Sequence, residues 1–543
     1  MPVVRLDRAR LSKMAGADKK TVLARLPYLG LDIESVEKGS IRVEYSPNRP
    51  DFGSDFGISR ALRGILGKET GLPVYPTRPS GITVEVDQRL SGVRPYIACA
   101  TATGPSLNDE DVRQIIALQE DLHNGLGRRR KKVAIGLHDM GRISAPLKYL
   151  AVGPSFAFRP LNAKRESTIR DILSSTPEGK AYGGILGSSK LFPVIQDSAG
   201  VVLSFPPVIN GDATRVSART KALFVDVTST EMEAGDDALA ILVTTLAEAG
   251  AKIGSVEIRY PKTRNTPDLS PSEIQLDEGL VRRVLGLDLN RKQVVDSLLK
   301  ARLGVVGRKV RIPRYRVDII HPVDLSEEVA LGYGIDRIEP DYPASKRPGS
   351  FNPLEQFLDG VSTIMAGFGM SEFMTYELVD ERSVYQRFAR ESTEKISVLN
   401  PRSLEHSILR DSLIPTMMSA LSSNAGEEYP QRAYEVGRVY QRRRGGVGEE
   451  WHLGCLVAHS GASYSEAKMY LESACRLIAG VEAKTPEALH WAFSPGRSAQ
   501  VMIDGKKSGW VGEVKPEALA SFGLNVPVSG FEINLDWMRE QLK

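Results

Sequence analysis

Three proline-bearing stretches divide this 543-residue sequence and limit how far any run of secondary structure can extend. They span residues 71–81 (GLPVYPTRPSG), 259–272 (RYPKTRNTPDLSPS) and 339–353 (EPDYPASKRPGSFNP). Proline has no backbone N–H and a fixed φ, so such stretches read as linkers rather than as helix interiors or central strands. Four blocks are left: residues 1–80, 82–260, 270–340 and 354–543. Helical and strand-like patterns are mixed within them. The expected fold class is multidomain α+β, and the length suits about three to five domains.

Composition narrows the class further. With 41% hydrophobic and 25% charged residues, the chain is ordinary for a soluble globular protein. No apolar run reaches the roughly 18 residues that a membrane span needs. The N-terminal MPVVRLDRARLSKMAG lacks the apolar centre and cleavage site of a secretory signal. Cys99, Cys455 and Cys475 are too dispersed for a zinc motif or a disulfide framework. They fit a reducing compartment, so a cytoplasmic location without membrane contact is expected. A net charge of +4 permits contact with nucleic acid without demanding it. The Gly-rich phosphate loop, the GxGxxG turn, HExxH and GxSxG are all absent.

Within the first block, residues 3–6 and 40–47 are strand-like, and residues 54–67 form a helix with Ile58, Leu62 and Ile65 on its apolar stripe. Arg49 and Asp51 precede that helix and fit a turn with an N-terminal acid, a functional role being the alternative. In the second block, residues 108–127 read as a helix with an acidic start and a glycine stop. Five consecutive cations at 128–132 follow, either as a solvated face or as a contact for a phosphate backbone. Residues 191–216 suggest a hairpin and a Pro-Pro loop, 222–230 a strand, and 238–250 a buried helix. Two short helices, paired strands and a third helix make residues 270–340 winged-helix-like. The last block opens with an apolar-faced helix, 354–370, and then a strand from 371. A strand, turn and long helix at 397–426 and antiparallel strands from 433 onward complete it.

The densest chemistry lies at 311–336. Four carboxylates, Asp318, Asp324, Glu327 and Glu328, fall within eleven residues. Before them, Ile312, Tyr315, Val317, Ile319 and Ile320 alternate with Arg311, Arg314 and Arg316 like a strand. Pro322 ends it, and Asp324 reads as the N-cap of a helix with Glu327 at the capping-box position. Two readings compete. In one, the acids belong to a capped helix and pair with neighbouring arginines. In the other, they hold Mg2+, a hard cation that takes oxygen ligands.

Six strings, in family order, resemble the β subunit of phenylalanine–tRNA ligase in its archaeal or eukaryotic cytosolic form. They are residues 46–67, 130–139 (RKKVAIGLHD), 197–214 (DSAGVVLSFPPVINGDAT), 313–336, 399–418 and 434–440 (YEVGRVY). The resemblance implies a separate catalytic α subunit as partner in an α2β2 heterotetramer. That complex attaches phenylalanine to its tRNA with ATP and Mg2+. Residues 1–80 would be a small N-terminal domain, 82–260 an α/β editing-type domain that hydrolyses tyrosyl-tRNA, and 270–340 the winged-helix-like B-five type domain. Residues 354–543 would be an antiparallel class II synthetase-like domain without catalytic motifs. Class II chemistry needs two arginines at phosphates. Arg432 shadows the first, while Arg539 stands among acids where the second belongs, so no adenylate formation is expected of this chain.

The family's Asp…Asp-x-x-Glu-Glu metal set maps onto Asp318, Asp324, Glu327 and Glu328, which makes Mg2+ their implied ligand. Ser204, Asn210, Asp226 and Glu231 lie in the editing segments but match no family motif one by one. The apolar face of helix 354–370 would serve assembly with the α subunit, a plain core helix being the alternative. Two rivals are a stand-alone hydrolase of mischarged tRNA and a non-enzymatic nucleic-acid-binding protein. An exposed apolar face on 354–370 would argue against the first, and the mild charge argues against the second.

Overall fold

The computed structural model describes residues 2–541 apart from 105, 106, 188, 218, 343–347, 392 and 393. The chain separates into two compact units, residues 1–342 and 343–543.

The first unit begins with an antiparallel sheet of Val3–Asp7, Ser40–Glu44 and Asp32–Val36, with Ser40–Glu44 in the middle. Val4 and Leu6 alternate with exposed Arg5 and Asp7, so the apolar face of the edge strand joins a core with Leu11, Ile58 and Leu62. The helix Asp55–Ile65 starts at Ser54, whose hydroxyl accepts from the Gly57 N–H. Its Arg60 is buried, with the guanidinium 3.5 Å above the Tyr315 ring. Arg60 and Arg49 both pair with buried Asp51. Burial alone would raise the Asp51 carboxyl, but Arg49, Arg60 and Arg316 outweigh it and hold it below the usual range. The 48–51 turn is therefore a buried joint between the small sheet and the segment at 313–318.

A ten-stranded sheet forms the middle of this unit. Its path runs through Ile209–Asn210, Val202–Phe205, Phe192–Asp197, Leu147–Val152, Thr77–Val86, Lys252–Arg259, Tyr96–Thr103, Ala222–Ser229 and Val133–Asp139. Thr77–Val86 lies parallel to both of its neighbours, and the other pairings are antiparallel. Helices Asp109–Asn124 and Met232–Glu248 pack Leu118, Leu122, Leu239 and Leu242 onto one face. Ala222–Ser229 is buried along nearly its whole length, as a central strand covered on both faces must be. The expected linker at 71–81 is only partly a linker, because Thr77–Val86 is already strand. A register irregularity opposite Pro79 and Gly81 lets the sheet accept a proline.

Residues 272–337 form a three-stranded antiparallel sheet, Ser272–Gln275, Lys309–Ile312 and Gly304–Val306, with helices Glu278–Leu285, Arg291–Lys300 and Asp324–Tyr333. The two helices, paired strands and third helix follow in the expected order, but a strand that was not expected, Ser272–Gln275, precedes them and pairs with Lys309–Ile312. The strand expected to run to Ile320 ends instead at Ile312, where Pro313 removes a ladder donor.

The second unit is built on a seven-stranded sheet in the order Ser371–Glu372, Gln431–Arg443, Gly446–Ala458, Val528–Asn534, Lys506–Val514, Phe493–Ile503 and Ala483–Lys484. All of its pairs except the first are antiparallel. Helix Pro353–Gly367 buries Leu358, Val361 and Met365 in a core with Leu453, Val457 and Phe531. Its apolar face is thus covered by its own sheet. The strand expected from 371 shrinks to Ser371–Glu372 and Leu378–Val379, and the long helix of 397–426 to Ile414–Ser423. No helix among the described residues is long and apolar enough to cross a membrane.

Candidate functional site

A cavity of about 410 Å³ lies in the first unit between helix Asp109–Asn124, strand Val133–Asp139 and the loop at 208–216. Ile115, Ile135, Leu137 and Val208 make its walls largely apolar, and Glu120, His123, Arg130, Asn210 and Thr214 add polar groups. A second pocket of about 20 Å³ shares His123, Arg130 and Asn210 with it and adds Ser204 and Asp226.

Helix geometry brings Glu120 and His123 to one face, three residues apart. His123 Nδ1 lies 3.2 Å from Glu120, and its Nε2 accepts the Ile135 N–H at 2.8 Å. Burial lowers the imidazole below its usual value, consistent with a neutral acceptor nitrogen. Glu120 also accepts from Arg130 at 3.0 Å, and its hydrogen bond with His123 leads the causes that hold it below the usual carboxylate range.

Sheet register supplies the other group. Ala222–Ser229 pairs with Val133–Asp139 so that Asp226 faces Gly136 and Phe224 faces His138. His138 Nε2 lies 2.7 Å from Asp226 Oδ2, and its Nδ1 2.8 Å from Thr214 Oγ1. A Cβ at position 136 would stand 2.1 Å from Asp226 Oδ2, so glycine is what lets the carboxylate and the imidazole meet. The Ser204 hydroxyl is buried beside Asp226's pocket and has no hydrogen-bond partner among the described residues.

Of the four residues singled out in these segments, Ser204, Asn210 and Asp226 converge. Glu231 does not, and pairs with Lys132 at 2.6 Å. Glu120, His123, His138 and Thr214 escaped sequence reading, since each sits in an ordinary helix, strand or loop pattern, and Arg130 was noted only as one of the five cations at 128–132. A polar His138 within the apolar run 133–138 was the available signal.

The four carboxylates of 318–328 are arranged around Arg316. Its Nε donates to Asp318 Oδ1 at 2.8 Å and its Nη1 to Glu328 Oε2 at 3.0 Å. Burial opposes the guanidinium's charge, but Glu328 and Asp318 outweigh it and push its pKa well up. Asp324 does not cap the helix that it begins. Its Oδ2 accepts from the N–H groups of Ile320 at 2.9 Å and His321 at 2.7 Å, closing the preceding turn. Glu327 is exposed, and partial burial followed by the charges of Glu328 and Asp318 raises its carboxyl above the usual range. These oxygens suit Mg2+ in kind. As they stand, Arg316 takes Asp318 and Glu328, Asp324 serves backbone, and among the described residues no group of three is already disposed around one ion.

The second unit has its own cavity of about 410 Å³, lined by Arg390, His452, Trp510 and Glu532 among others. Arg432 lies instead beside Glu466 at 3.8 Å, and neither it nor Arg539 lines this cavity. His452 sits 2.7 Å from Glu532 and 3.3 Å from Glu450. Burial would lower this imidazole, but the two carboxylates raise it to about 9. Glu532 also accepts from the Ser412 hydroxyl at 2.6 Å and the Leu413 N–H at 3.1 Å. The acids of the floor are thus engaged by the protein's own donors.

Comparison with known proteins agrees with both units. Residues 274–335 match the family described as the tRNA synthetase B5 domain, and residues 338–535 that of the phenylalanyl tRNA synthetase beta chain CLM domain. The phenylalanine–tRNA ligase beta subunit of Archaeoglobus fulgidus is 40% identical, with 98% of each chain covered. That of Methanococcoides burtonii is 37% identical over 98% of this chain and 100% of its own. A crystal structure of an N-terminal fragment of the phenylalanyl-tRNA synthetase beta subunit from Pyrococcus horikoshii superposes with a TM-score of 0.59 at 35% identity. It covers 61% of this chain and 99% of the fragment. With such identity along nearly its whole length, the chain belongs to the phenylalanine–tRNA ligase beta subunit family.

Proposed function

We propose that this chain is the β subunit of a cytoplasmic α2β2 phenylalanine–tRNA ligase and that the first unit's cavity hydrolyses tyrosyl-tRNA. The ligation step, with ATP and Mg2+, belongs to a separate α subunit. Support for that division comes from the second unit, where the cavity's acids are internally paired and neither Arg432 nor Arg539 reaches it. Support for a partner comes from exposed Met374, Tyr376, Leu399 and Leu404, which lie on two adjoining segments joined by the pairing of Leu378 with Leu409. Such a patch is what a subunit interface covers. It replaces helix Pro353–Gly367 as the argument against a stand-alone hydrolase, since that helix is packed on its own sheet.

One observation carries the hydrolytic reading: a water-sized polar pocket holding Asp226 and an unpartnered Ser204 hydroxyl adjoins a cavity large enough for an aminoacyl group. About 20 Å³ admits a single water, and such a water needs two or more polar partners. Asp226, oriented by His138, is the general base toward that water. The attacking oxygen forms a bond to the ester carbonyl carbon as its proton passes to Asp226; the bond from that carbon to the ribose oxygen then breaks, and Asp226 returns the proton to the ribose oxygen, which departs as an alcohol. Ser204 supplies a hydroxyl for a polar group of the bound ester, since an unpaired buried hydroxyl favours a substrate that satisfies it.

Coexpression with the catalytic subunit tests this reading. The wild-type complex should charge phenylalanine and deacylate tyrosyl-tRNA, and the chain alone should not charge. Asp226→Asn should slow deacylation by about 10²- to 10⁴-fold while leaving charging intact. Undiminished deacylation by that variant rules out Asp226 as the base.

The proposal also keeps Asp318, Asp324, Glu327 and Glu328 as Mg2+ ligands, with Arg316 as the competing cation. The support is their oxygen chemistry and the closeness of Glu327 to the charges of Glu328 and Asp318. An ion there requires Asp318 and Glu328 to leave the guanidinium.

A further inference from the structure

The turn that joins the cavity's helix to its strand is strained at three successive side-chain-bearing residues. Arg128, Arg129 and Arg130 have φ of +48°, +55° and +65°. Residues with a Cβ avoid this region and normally enter it singly. The backbone hydrogen bonds of the turn do not require arginine. They run from the Arg128 N–H to the Gly125 carbonyl at 3.0 Å, from Arg130 to His123 at 3.0 Å and from Lys132 to Gly127 at 2.8 Å. Glycine would adopt the same path more easily. What the strain secures is therefore where the side chains go.

They go in two directions. Arg130 turns inward to Glu120, to the Val208 carbonyl at 3.2 Å and over the Tyr182 ring at 4.3 Å, and lines both pockets. The outgoing end is pinned by buried Arg94, which donates to the Lys131 carbonyl at 3.2 Å. Arg128, Arg129 and Lys131 face solvent, and none has a side-chain hydrogen bond or ion pair among the described residues. Exposed Arg215, on the cavity wall, is likewise unpaired among them. Among the described residues, three unpaired cations thus stand on the turn that supplies Arg130 to the cavity, and a fourth, Arg215, on the cavity wall.

We propose that this left-handed turn is a clamp for phosphodiesters of the single-stranded 3′ end of an aminoacyl-tRNA. The proposal rests on reading the cavity as the tyrosyl-tRNA hydrolase site. A cavity of about 410 Å³ accepts an aminoacyl group and its terminal sugar, not the polyanionic chain behind them. The phosphates stay outside it, where exposed Arg128 and Arg129 flank the cavity-lining Arg130 in sequence and Arg215 stands on the wall. Arginine suits them because its planar fork matches phosphate oxygens. Arg130 ties the clamp to the pocket, so that gripping the phosphates sets the depth of the ester.

The test uses the complex with the catalytic subunit and tyrosyl-tRNA as substrate. R128G/R129G keeps a backbone suited to the turn and removes two charges, and R128K/R129K restores them. The glycine pair should raise KM for deacylation about tenfold or more, leave kcat at saturation unchanged and leave phenylalanine charging intact. The logarithmic salt dependence of uncharged tRNA binding should flatten by about 1.4, at roughly 0.7 per phosphate contact on a single strand. The lysine pair should recover most of the salt slope. An unchanged KM together with an unchanged slope in the glycine pair overturns the clamp. A wild-type complex that leaves tyrosyl-tRNA intact overturns the hydrolase reading instead. The clamp is then decided by the uncharged-tRNA slope alone, where flattening upholds it and no change overturns it.

Discussion

At the scale of single residues, the two candidate sites each depend on one residue, a glycine in the first and an arginine in the second. Gly136 holds open the space in which Asp226 and His138 meet. Gly136→Ala should force them apart, destabilise the chain by about 2–4 kcal/mol in urea unfolding and abolish deacylation. Wild-type stability and activity in that variant would mean the pair tolerates separation. Arg316 is the counterpart in the carboxylate cluster, where Asp318 and Glu328 are 11% and 6% exposed. Arg316→Gln leaves both buried and short of a cation, at a cost of about 3–5 kcal/mol. If these acids are Mg2+ ligands, millimolar Mg2+ should recover part of that loss in melting temperature. Melting that ignores Mg2+ in both proteins would leave arginine as the cluster's only cation. The sequence offered these arginines as partners of the acids and offered Mg2+ as the rival. Which arginine reaches which acid depends on the chain path after Pro313, and no spacing rule encodes that path.

At the scale of elements, periodicity served best where one face of an element is buried. Helix Asp109–Asn124 and the 192–205 hairpin lie where their patterns place them, and the helix expected at 238–250 is present but begins at Met232 and ends at Glu248. It failed where tertiary contacts override a local pattern, as at 313–320, where Tyr315 and Val317 alternate like a strand but pack as a turn against the neighbouring core. The strand Gly446–Ala458 shows how an element's neighbours define a titration. His452 is held between Glu532, on the paired strand Val528–Asn534, and Glu450 on its own strand. Its pKa of about 9 lies above the usual 6.5. The protonated form is therefore favoured in the fold, and the stabilisation is complete below about pH 6.5. It fades as pH rises through about 9, by on the order of 3 kcal/mol. Urea unfolding of the second unit between pH 6 and pH 9.5 should show this decline, and His452→Gln should flatten it. A decline of equal size in the variant would place the titration elsewhere.

At the scale of the whole molecule, the chain is two units that meet in the third proline-bearing stretch. Among the described residues, 1–342 hold five hydrophobic core clusters and the buried joint of Asp51, Arg60 and Tyr315, all internal to that unit. A fragment of residues 1–342 should therefore fold alone with a cooperative thermal transition. A broad, non-cooperative melt would show that it needs the second unit. The sequence by itself determined the family and the positions of the four carboxylates, because each is carried by contiguous strings whose identity does not depend on folding. Only the tertiary structure decided which polar residues face one cavity. Glu120, Arg130, Ser204 and Asp226 come from a helix, a strained turn and two non-neighbouring strands. Sheet order and register, set by burial over the whole domain, bring them together. The opening division into blocks was sharpened in the same way: the linker expected at 71–81 stops at Thr77, because the strand that starts there gains more from pairing within the large sheet than Pro79 costs.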